Sequence, residues 1–113
     1  MKYAVLLFDD PAAWANVTES ELGTLQAEYM AVGEQPESYG GAQLQPAETA
    51  RTLRLTNGEA VVIDRPFTET KEVLSGFYLI DADSEARALE IAWTIPTVSR
   101  MGGAVEVRPI VER

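Results

Sequence analysis

The chain of 113 residues contains no cysteine and no histidine. It therefore cannot form a disulfide, supply a thiolate nucleophile or an imidazole base, or bind zinc or haem through the usual nitrogen and sulfur ligands. We expect no cofactor and no metal. Any catalysis would have to rely on Asp, Glu, Lys, Arg, Tyr, Ser or Thr side chains.

Basic residues are scarce, since nine Lys and Arg stand against 18 Asp and Glu and give a net charge of −9. This charge repels phosphate backbones and anionic lipids, so we expect neither a nucleic-acid partner nor a membrane partner. The longest apolar run, residues 3–8, is far shorter than the roughly 20 residues that span a bilayer. We expect a cytoplasmic protein, and the length predicts a single domain over residues 1–113.

The first part of the chain predicts a strand followed by a helix. The run "KYAVLLF" at residues 2–8 is rich in aromatic and branched side chains and is stopped by "DDP", which is typical of a buried strand. Thr18 and Glu21 have the spacing of a capping box, so a helix should begin near Thr18. Its predicted buried face carries four residues at helical spacing: Leu22, Leu25, Tyr29 and Val32. Gly33 and Pro36 should end it.

A hairpin is the strongest local signal in the middle of the chain. Residues 51–56, "RTLRLT", alternate leucines with polar residues, and residues 59–64, "EAVVID", match them as a return strand. Between them Asn57 and Gly58 are the two residue types that a type I′ turn requires, because both of its central positions have positive φ.

The last part predicts a strand, a helix and a strand. These are "GFYLIDA" at residues 76–82, "EARALEIAWTI" at 85–95 and "AVEVRPI" at 104–110. The helix should begin after Asp83 or Ser84, and its predicted buried face carries Leu89, Ala92 and Trp93. The order of elements indicates an α+β fold, a ferredoxin-like split β-α-β arrangement with an added hairpin.

The first strand is apolar on both faces. Alternation separates two sets of side chains: Tyr3, Val5 and Leu7 on one face, and Ala4, Leu6 and Phe8 on the other. Two helices cover only one face of such a sheet, and each large apolar side chain left in water costs roughly 1.5–3 kcal/mol relative to burial. We therefore expect a homodimer that packs sheet against sheet.

Taken together, these motifs resemble the YCII-related family, in its DGPF branch. The resemblance covers nearly the whole chain, from the "KYAVLLF" strand and "AAW" at residues 12–14, through residues 44–64 and 64–84, to "VEVRPI" at the end. It implies the dimeric α+β barrel, a fold shared with muconolactone isomerase-like enzymes and small monooxygenases. It also implies a family in which most members have no established activity, and some act beside alternative sigma factors.

Two positions depart from the family pattern. The branch is named for Asp-Gly-Pro-Phe, and Arg65 stands here in place of the glycine. Relatives in the wider family are proposed to use a His–Asp pair, and this chain has no histidine. A mechanism based on that pair therefore does not transfer.

The loop "DRPFTETKE" at residues 64–72 is the predicted ligand site. Asp64 is the candidate catalytic base, and an aromatic neighbour raises the pKa of such a carboxyl by desolvation while a neighbouring Arg lowers it. Arg65, Phe67 and Tyr78, with Tyr3 if its strand lies near, are the candidate ligand-binding residues.

The same loop also has a purely structural interpretation. Asp64 would accept backbone hydrogen bonds in an Asx-type turn, and Phe67 would fill a gap between sheet and helix. Thr68 would cap a single helical turn, with Glu69 and Glu72 near its positive end. On this interpretation the loop covers the mouth of the barrel half.

Two functional hypotheses follow. One is a homodimer that binds a small molecule in a cleft near Asp64 and Phe67, as an enzyme of unassigned reaction or as a binding protein. The alternative is a non-catalytic dimer that binds another protein through its acidic surface, with a link to transcription regulation.

Overall fold

The computed structural model describes residues 1–67 and 70–113. Within them the strands are β1 (Lys2–Asp9), β2 (Ser38–Gln43), β3 (Thr52–Thr56), β4 (Glu59–Ile63), β5 (Val73–Asp81) and β6 (Ala104–Pro109). The helices are α1 (Pro11–Trp14), α2 (Glu19–Gly33), α3 (Glu85–Trp93) and α4 (Pro96–Ser99), and a short 3₁₀ turn covers Ala47–Thr49.

Four strands form the main sheet in the order β2-β5-β1-β6, and every neighbouring pair is antiparallel. With the hairpin set aside, this is the order of a ferredoxin-like split β-α-β fold, so the predicted fold class is confirmed. Strands β3 and β4 form a separate two-stranded sheet. In the part of the chain that is described, the main sheet stays open and does not close into a barrel.

The core lies between one face of this sheet and the helices. Tyr3, Val5 and Leu7 of β1 are buried on this face, as the alternation predicts. Helix α3 covers them with a stripe of apolar residues that continues into the turn after it: Ala88, Ile91, Ala92 and Ile95. Val32 of α2 completes the cluster.

The two long helices begin where their caps predict. Thr18 accepts from the backbone N–H of Glu21, and the Glu21 carboxylate accepts from the N–H of Thr18, which confirms the capping box. Helix α2 ends at Gly33 as expected. Of the two candidate caps for α3, Ser84 is the one that accepts from the backbone, at Arg87.

The predicted buried face of α3 was wrong in part. Ala92 is buried, but Trp93 is 67% exposed and Leu89 is also exposed. The small Ala88 lets the helix lie close to the sheet, so the buried stripe runs from it through Ile91 and leaves Leu89 and Trp93 outside.

The hairpin is formed as predicted and makes few contacts with the rest of the chain. Asn57 has φ of 52° and Gly58 has φ of 81°, as a type I′ turn requires. Strands β3 and β4 pack mainly on each other, and Leu55 is 76% exposed. The radius of gyration is 15.9 Å, against about 13 Å for a compact domain of this length.

The second face of the main sheet has no helix on it in the described part of the chain. It carries half-buried apolar side chains at paired positions of the two central strands: Ala4 with Leu79, and Leu6 with Phe77. We call this surface the open face. Glu106 and Arg108 of the edge strand lie beside it and form an ion pair of 2.5 Å with each other.

Among residues 1–67 and 70–113 there is no helix with the length and apolar character needed to cross a membrane.

Gly41 is the glycine whose replacement should be most damaging. Its φ is +146°, and a Cβ there would lie 2.4 Å from the carbonyl oxygen of Phe77 on the neighbouring strand. We expect Gly41→Ala to lower the free energy of unfolding by roughly 2–4 kcal/mol, because strain and overpacking add.

Gly23 of α2 is the matched control, since nothing lies within 4 Å of a Cβ there. Gly23→Ala should raise stability by about 0.5–1 kcal/mol. Urea unfolding of both variants is the measurement, and equal stabilities would contradict this account of β2.

Candidate functional site

The most unusual group in the structure is the Asp9 carboxylate, which is 7% exposed. Alternation along β1 brings residue 9 to the helix side of the sheet, after Leu7. Trp14 donates its indole N–H to Oδ1 at 3.2 Å. Thr97 donates to Oδ2 at 3.2 Å, and Ser75 donates a short hydrogen bond to the same oxygen. Three neutral donors therefore hold one buried acid.

Local features of the chain bring these donors to Asp9. Asp10 caps α1 by accepting from Ala12, and Pro11 occupies the first helical position, so the chain turns sharply and Trp14 returns over the strand end. On the other side, β5 contains an irregularity opposite the Leu7–Phe8 step that leaves Ser75 without a cross-strand partner. Bulges redirect side chains in this way.

A second row of hydroxyl groups continues the network. The Tyr29 hydroxyl lies 2.8 Å from Thr97 Oγ1, and the Tyr78 hydroxyl donates to the Tyr29 carbonyl oxygen at 2.8 Å. Since Thr97 has one hydrogen and donates it to Asp9, Tyr29 must be the donor to Thr97. A continuous path of hydrogen bonds thus leads from Tyr29 through Thr97 to Asp9.

Burial raises the pKa of both tyrosines from 10.0 to about 12. For Tyr29 the negative charge of Asp9 adds to the effect of burial, while the hydrogen bond with Thr97 opposes it. Both phenols therefore keep their protons well above neutral pH, and they act as neutral hydrogen-bonding groups.

These residues border a cleft of about 900 Å³ between α2 and the helix side of the sheet. Asp9, Trp14, Tyr29, Ser75 and Tyr78 all line it. Most of the remaining wall comes from apolar residues of α2 and β5 and from the segment after β2, such as Leu25, Met30, Val73 and Leu44. We call it the Asp9 cleft. A largely apolar hollow with a few convergent polar groups is the usual form of a small-molecule site.

The structure brings one of the five predicted site residues, Tyr78, into this cleft. Tyr3 lies in the core, where its hydroxyl donates to Met1 Sδ at 3.8 Å. Asp64 lies after β4 with a 79% exposed side chain, and it pairs with Arg51 at 3.2 Å. Arg65 is exposed, and its carbonyl oxygen accepts from Thr52 at 2.7 Å.

Phe67, the remaining predicted residue, does not fill a gap between sheet and helix. Its ring is exposed and lies 4.5 Å from the Arg54 guanidinium, in a cation–π arrangement. The predicted cap at Thr68 and the acid at Glu69 lie outside the described residues.

A second hollow lies beside this loop. Its volume is about 730 Å³, and Phe8, Arg51, Pro66, Phe67 and Leu74 are among the residues that line it. We call it the loop hollow. Phe8 and Leu74 are a cross-strand pair on the open-face side of the sheet. The two hollows adjoin at the segment after β2 and the start of β5, because Leu44, Pro46 and Leu74 are among the residues that line both. The loop hollow contains no buried acid comparable to Asp9 among the residues that are described.

Sequence reasoning missed five members of the Asp9 network: Asp9 itself, Trp14 and Tyr29 as polar groups, Ser75 and Thr97. A signal for Asp9 was present, because residue 9 continues the inward positions 3, 5 and 7 of a buried strand. A polar residue at an inward position needs partners and so suggests a site. No comparable signal marks Ser75 or Thr97. They are 66 and 88 residues away from Asp9 in the sequence, and only the fold brings them next to it.

Among the described residues, no three Asp or Glu side chains are grouped in a way that could hold a metal ion.

The two tyrosines predict how stability depends on pH. Their folded pKa of about 12 lies above the ordinary value of 10.0, so the unfolded chain loses these protons first as the pH rises. The free energy of unfolding should be unaffected by them below pH 10 and should fall between about pH 10 and 12. The slope is at most about 1.4 kcal/mol per pH unit for each tyrosine, and it is smaller because both are only half buried. Urea unfolding across this range is the measurement, and Tyr29→Phe and Tyr78→Phe should each reduce the slope. An unchanged slope in both variants would contradict the assignment.

Comparison with known proteins gives a family but no activity. The family model for the YCII-related domain matches residues 1–113. An uncharacterized protein of Rhizobium meliloti (strain 1021), R00369, is 38% identical over 117 aligned residues, which cover 97% of this chain and 92% of that relative. The chain belongs to the YCII-related family.

Proposed function

We propose that this protein is a homodimer that binds a small molecule in the Asp9 cleft of each chain. The observation that carries the proposal is the buried Asp9 carboxylate beside a cleft of about 900 Å³. Removing a carboxylate from water is costly, and an apolar residue at this inward position would avoid the cost. A buried acid lowers stability, so a role in ligand binding explains its presence at the edge of a cleft better than a role in stability does.

The same geometry suits proton transfer. Asp9 lies within hydrogen-bond distance of Ser75 and Thr97, and the path through Thr97 reaches the Tyr29 phenol. A positioned carboxylate with hydroxyl partners is what general acid–base catalysis requires. The proposal therefore extends to an enzyme in which Asp9 exchanges a proton with the bound molecule.

The proposed dimer rests on two apolar surfaces. The open face offers Leu6, Phe77 and Leu79, which are only half buried. The hairpin adds Leu53, Leu55 and Val62, which are exposed together on one of its faces. An isolated two-stranded hairpin is marginally stable in water, so packing on a second chain would give it the support that its own chain does not. The sheet-against-sheet dimer would complete the α+β barrel that the family resemblance implies.

A second proposal is a non-catalytic dimer that binds another protein, with the link to transcription regulation that the resemblance implies. The observation in its favour is the exposed apolar face of the hairpin on a chain of net charge −9. Apolar residues surrounded by charge are typical of protein-binding surfaces. Membership of the DGPF branch also stays a prediction, with Arg65 at the position of the motif glycine.

Ligand binding is best tested by nuclear magnetic resonance with a library of small metabolites. The reporter is the indole N–H of Trp14, which contacts Asp9 directly, and the exposed Trp93 is an internal control. Trp93→Phe assigns the two signals. We expect at least one compound to shift the Trp14 signal alone, with binding weakened at least about tenfold in Asp9→Asn. Asp64→Asn makes the same chemical change at an exposed acid and should bind as the wild type does.

Two outcomes would contradict this site. If no compound shifts the Trp14 signal, the Asp9 cleft is not a ligand site. If Asp64→Asn abolishes binding and Asp9→Asn does not, the loop hollow is the site instead. Far-ultraviolet circular dichroism of Asp9→Asn checks that the variant is folded, because at least one of its three donors loses its acceptor at a cost of about 1–3 kcal/mol.

The dimer is tested by light scattering over a range of protein concentrations. We expect twice the chain mass of 12.4 kDa for the wild type. Phe77→Glu on the open face and Leu55→Glu on the hairpin should each raise the dimer dissociation constant at least about tenfold, because each brings a charge into the interface. Leu89→Glu is the control, as Leu89 is exposed on α3, away from both surfaces.

A monomeric wild type would exclude the dimer. If Phe77→Glu dissociates and Leu55→Glu does not, the hairpin face is free for a different protein, which favours the second proposal.

A further inference from the structure

The charges around the Asp9 cleft are of one sign. Among the described residues that line it, Asp9 and Glu48 are the only Asp or Glu residues, and none is Lys or Arg. The neighbouring cation, Lys71, pairs with Asp10 at 3.6 Å and does not line the cleft. In a chain of net charge −9 this arrangement disfavours an anionic ligand.

The hydrogen bonds around Asp9 leave acceptors but no free side-chain donors. Trp14, Ser75 and Thr97 each use their one polar hydrogen on Asp9. Tyr29 uses its own on Thr97, and Tyr78 uses its own on the Tyr29 carbonyl. Lone pairs stay available on Asp9, on the Ser75 hydroxyl and on the two phenols. A ligand that donates hydrogen bonds therefore finds acceptors in this network. A ligand that only accepts hydrogen bonds finds no side-chain donor there.

Aromatic rings stand next to the acid. The Trp14 and Tyr29 rings have centroids 6.2 Å apart and are inclined by 31°, and the Tyr78 ring also lines the cleft. Aromatic faces attract an ammonium group through their quadrupole, and the attraction grows when the site is shielded from water. The rings also offer an apolar surface to the body of a ligand.

These three observations agree on one class of ligand. We infer that the Asp9 cleft binds an organic cation, a protonated amine on an apolar body, with the ammonium group on Asp9 and the body against Trp14 and Tyr29. The inference rests on the proposed function and names the ligand class of that site. The ammonium would supply the positive charge that the described lining lacks and the free side-chain donors that the network around Asp9 lacks.

Three compounds that share a benzyl or phenyl body test the ligand class: benzylamine, benzyl alcohol and benzoate. Each is titrated into the Trp93→Phe variant while the Trp14 indole signal is followed. We expect benzylamine to bind at least about tenfold more tightly than benzyl alcohol, because its ammonium group forms a charge-assisted hydrogen bond with Asp9. Benzoate should bind most weakly of the three. Asp9→Asn should remove the preference for the amine and keep the weak binding of the alcohol, which also shows that the variant is folded. Asp64→Asn should keep the preference.

The outcomes separate this inference from the proposed function. Equal binding of the three compounds, or tightest binding of benzoate, overturns the cation assignment, while the shift of the Trp14 signal still supports a ligand site. No shift with benzylamine also overturns the assignment, and the metabolite library then decides the proposed function on its own. The comparison of the three compounds needs no variant at Asp9, so it holds even if Asp9→Asn fails to fold.

Discussion

The alternation of side chains along β1 is the constraint on which the rest of the structure depends. Because successive residues of a strand point to opposite faces, one stretch of eight residues divides the molecule into two sides. Tyr3, Val5 and Leu7 form the centre of the core, and Leu6 lies on the open face. The same alternation carries Asp9 to the core side at the end of the strand, where Trp14 of α1 and Thr97 of α4 contact it and the cleft begins.

Three hydrogen-bond donors hold Asp9, and a separate local feature of the fold places each of them. The irregularity of β5 frees Ser75, the capped turn at Asp10 returns Trp14, and α4 supplies Thr97. Each donor comes from a different element, so the acid is held only when sheet, turn and helix are all in place. This is the geometry expected of a group whose retention depends on a role in binding, since three neutral donors offset only part of the cost of burying a charge.

The two sides of the sheet differ in chemistry. The helix side holds the polar network and the cleft, whereas the open face and the hairpin offer mainly apolar surface. A dimer through the second side would cover this apolar surface. It would also explain how a chain with a radius of gyration of 15.9 Å, well above that of a compact domain, keeps an extended hairpin in order.

Local chemistry in the sequence was enough to predict most elements of the fold. The capping box at Thr18, the Asn57-Gly58 turn and the strand runs of β1, β3, β4 and β6 each act over a few residues, and these were found where expected. Strand β5 begins three residues before its predicted run, and β2, Ser38–Gln43, has no apolar run to mark it. The buried face of α3 was predicted only in part, because helical spacing allows more than one stripe and only packing on the sheet selects Ala88 over Trp93. The sequence by itself also determined that a site here must work without imidazole or thiol. The position of the site was decided by tertiary structure alone, because Asp9, Ser75 and Thr97 are brought together by strand register and helix packing over long separations, which no local pattern records.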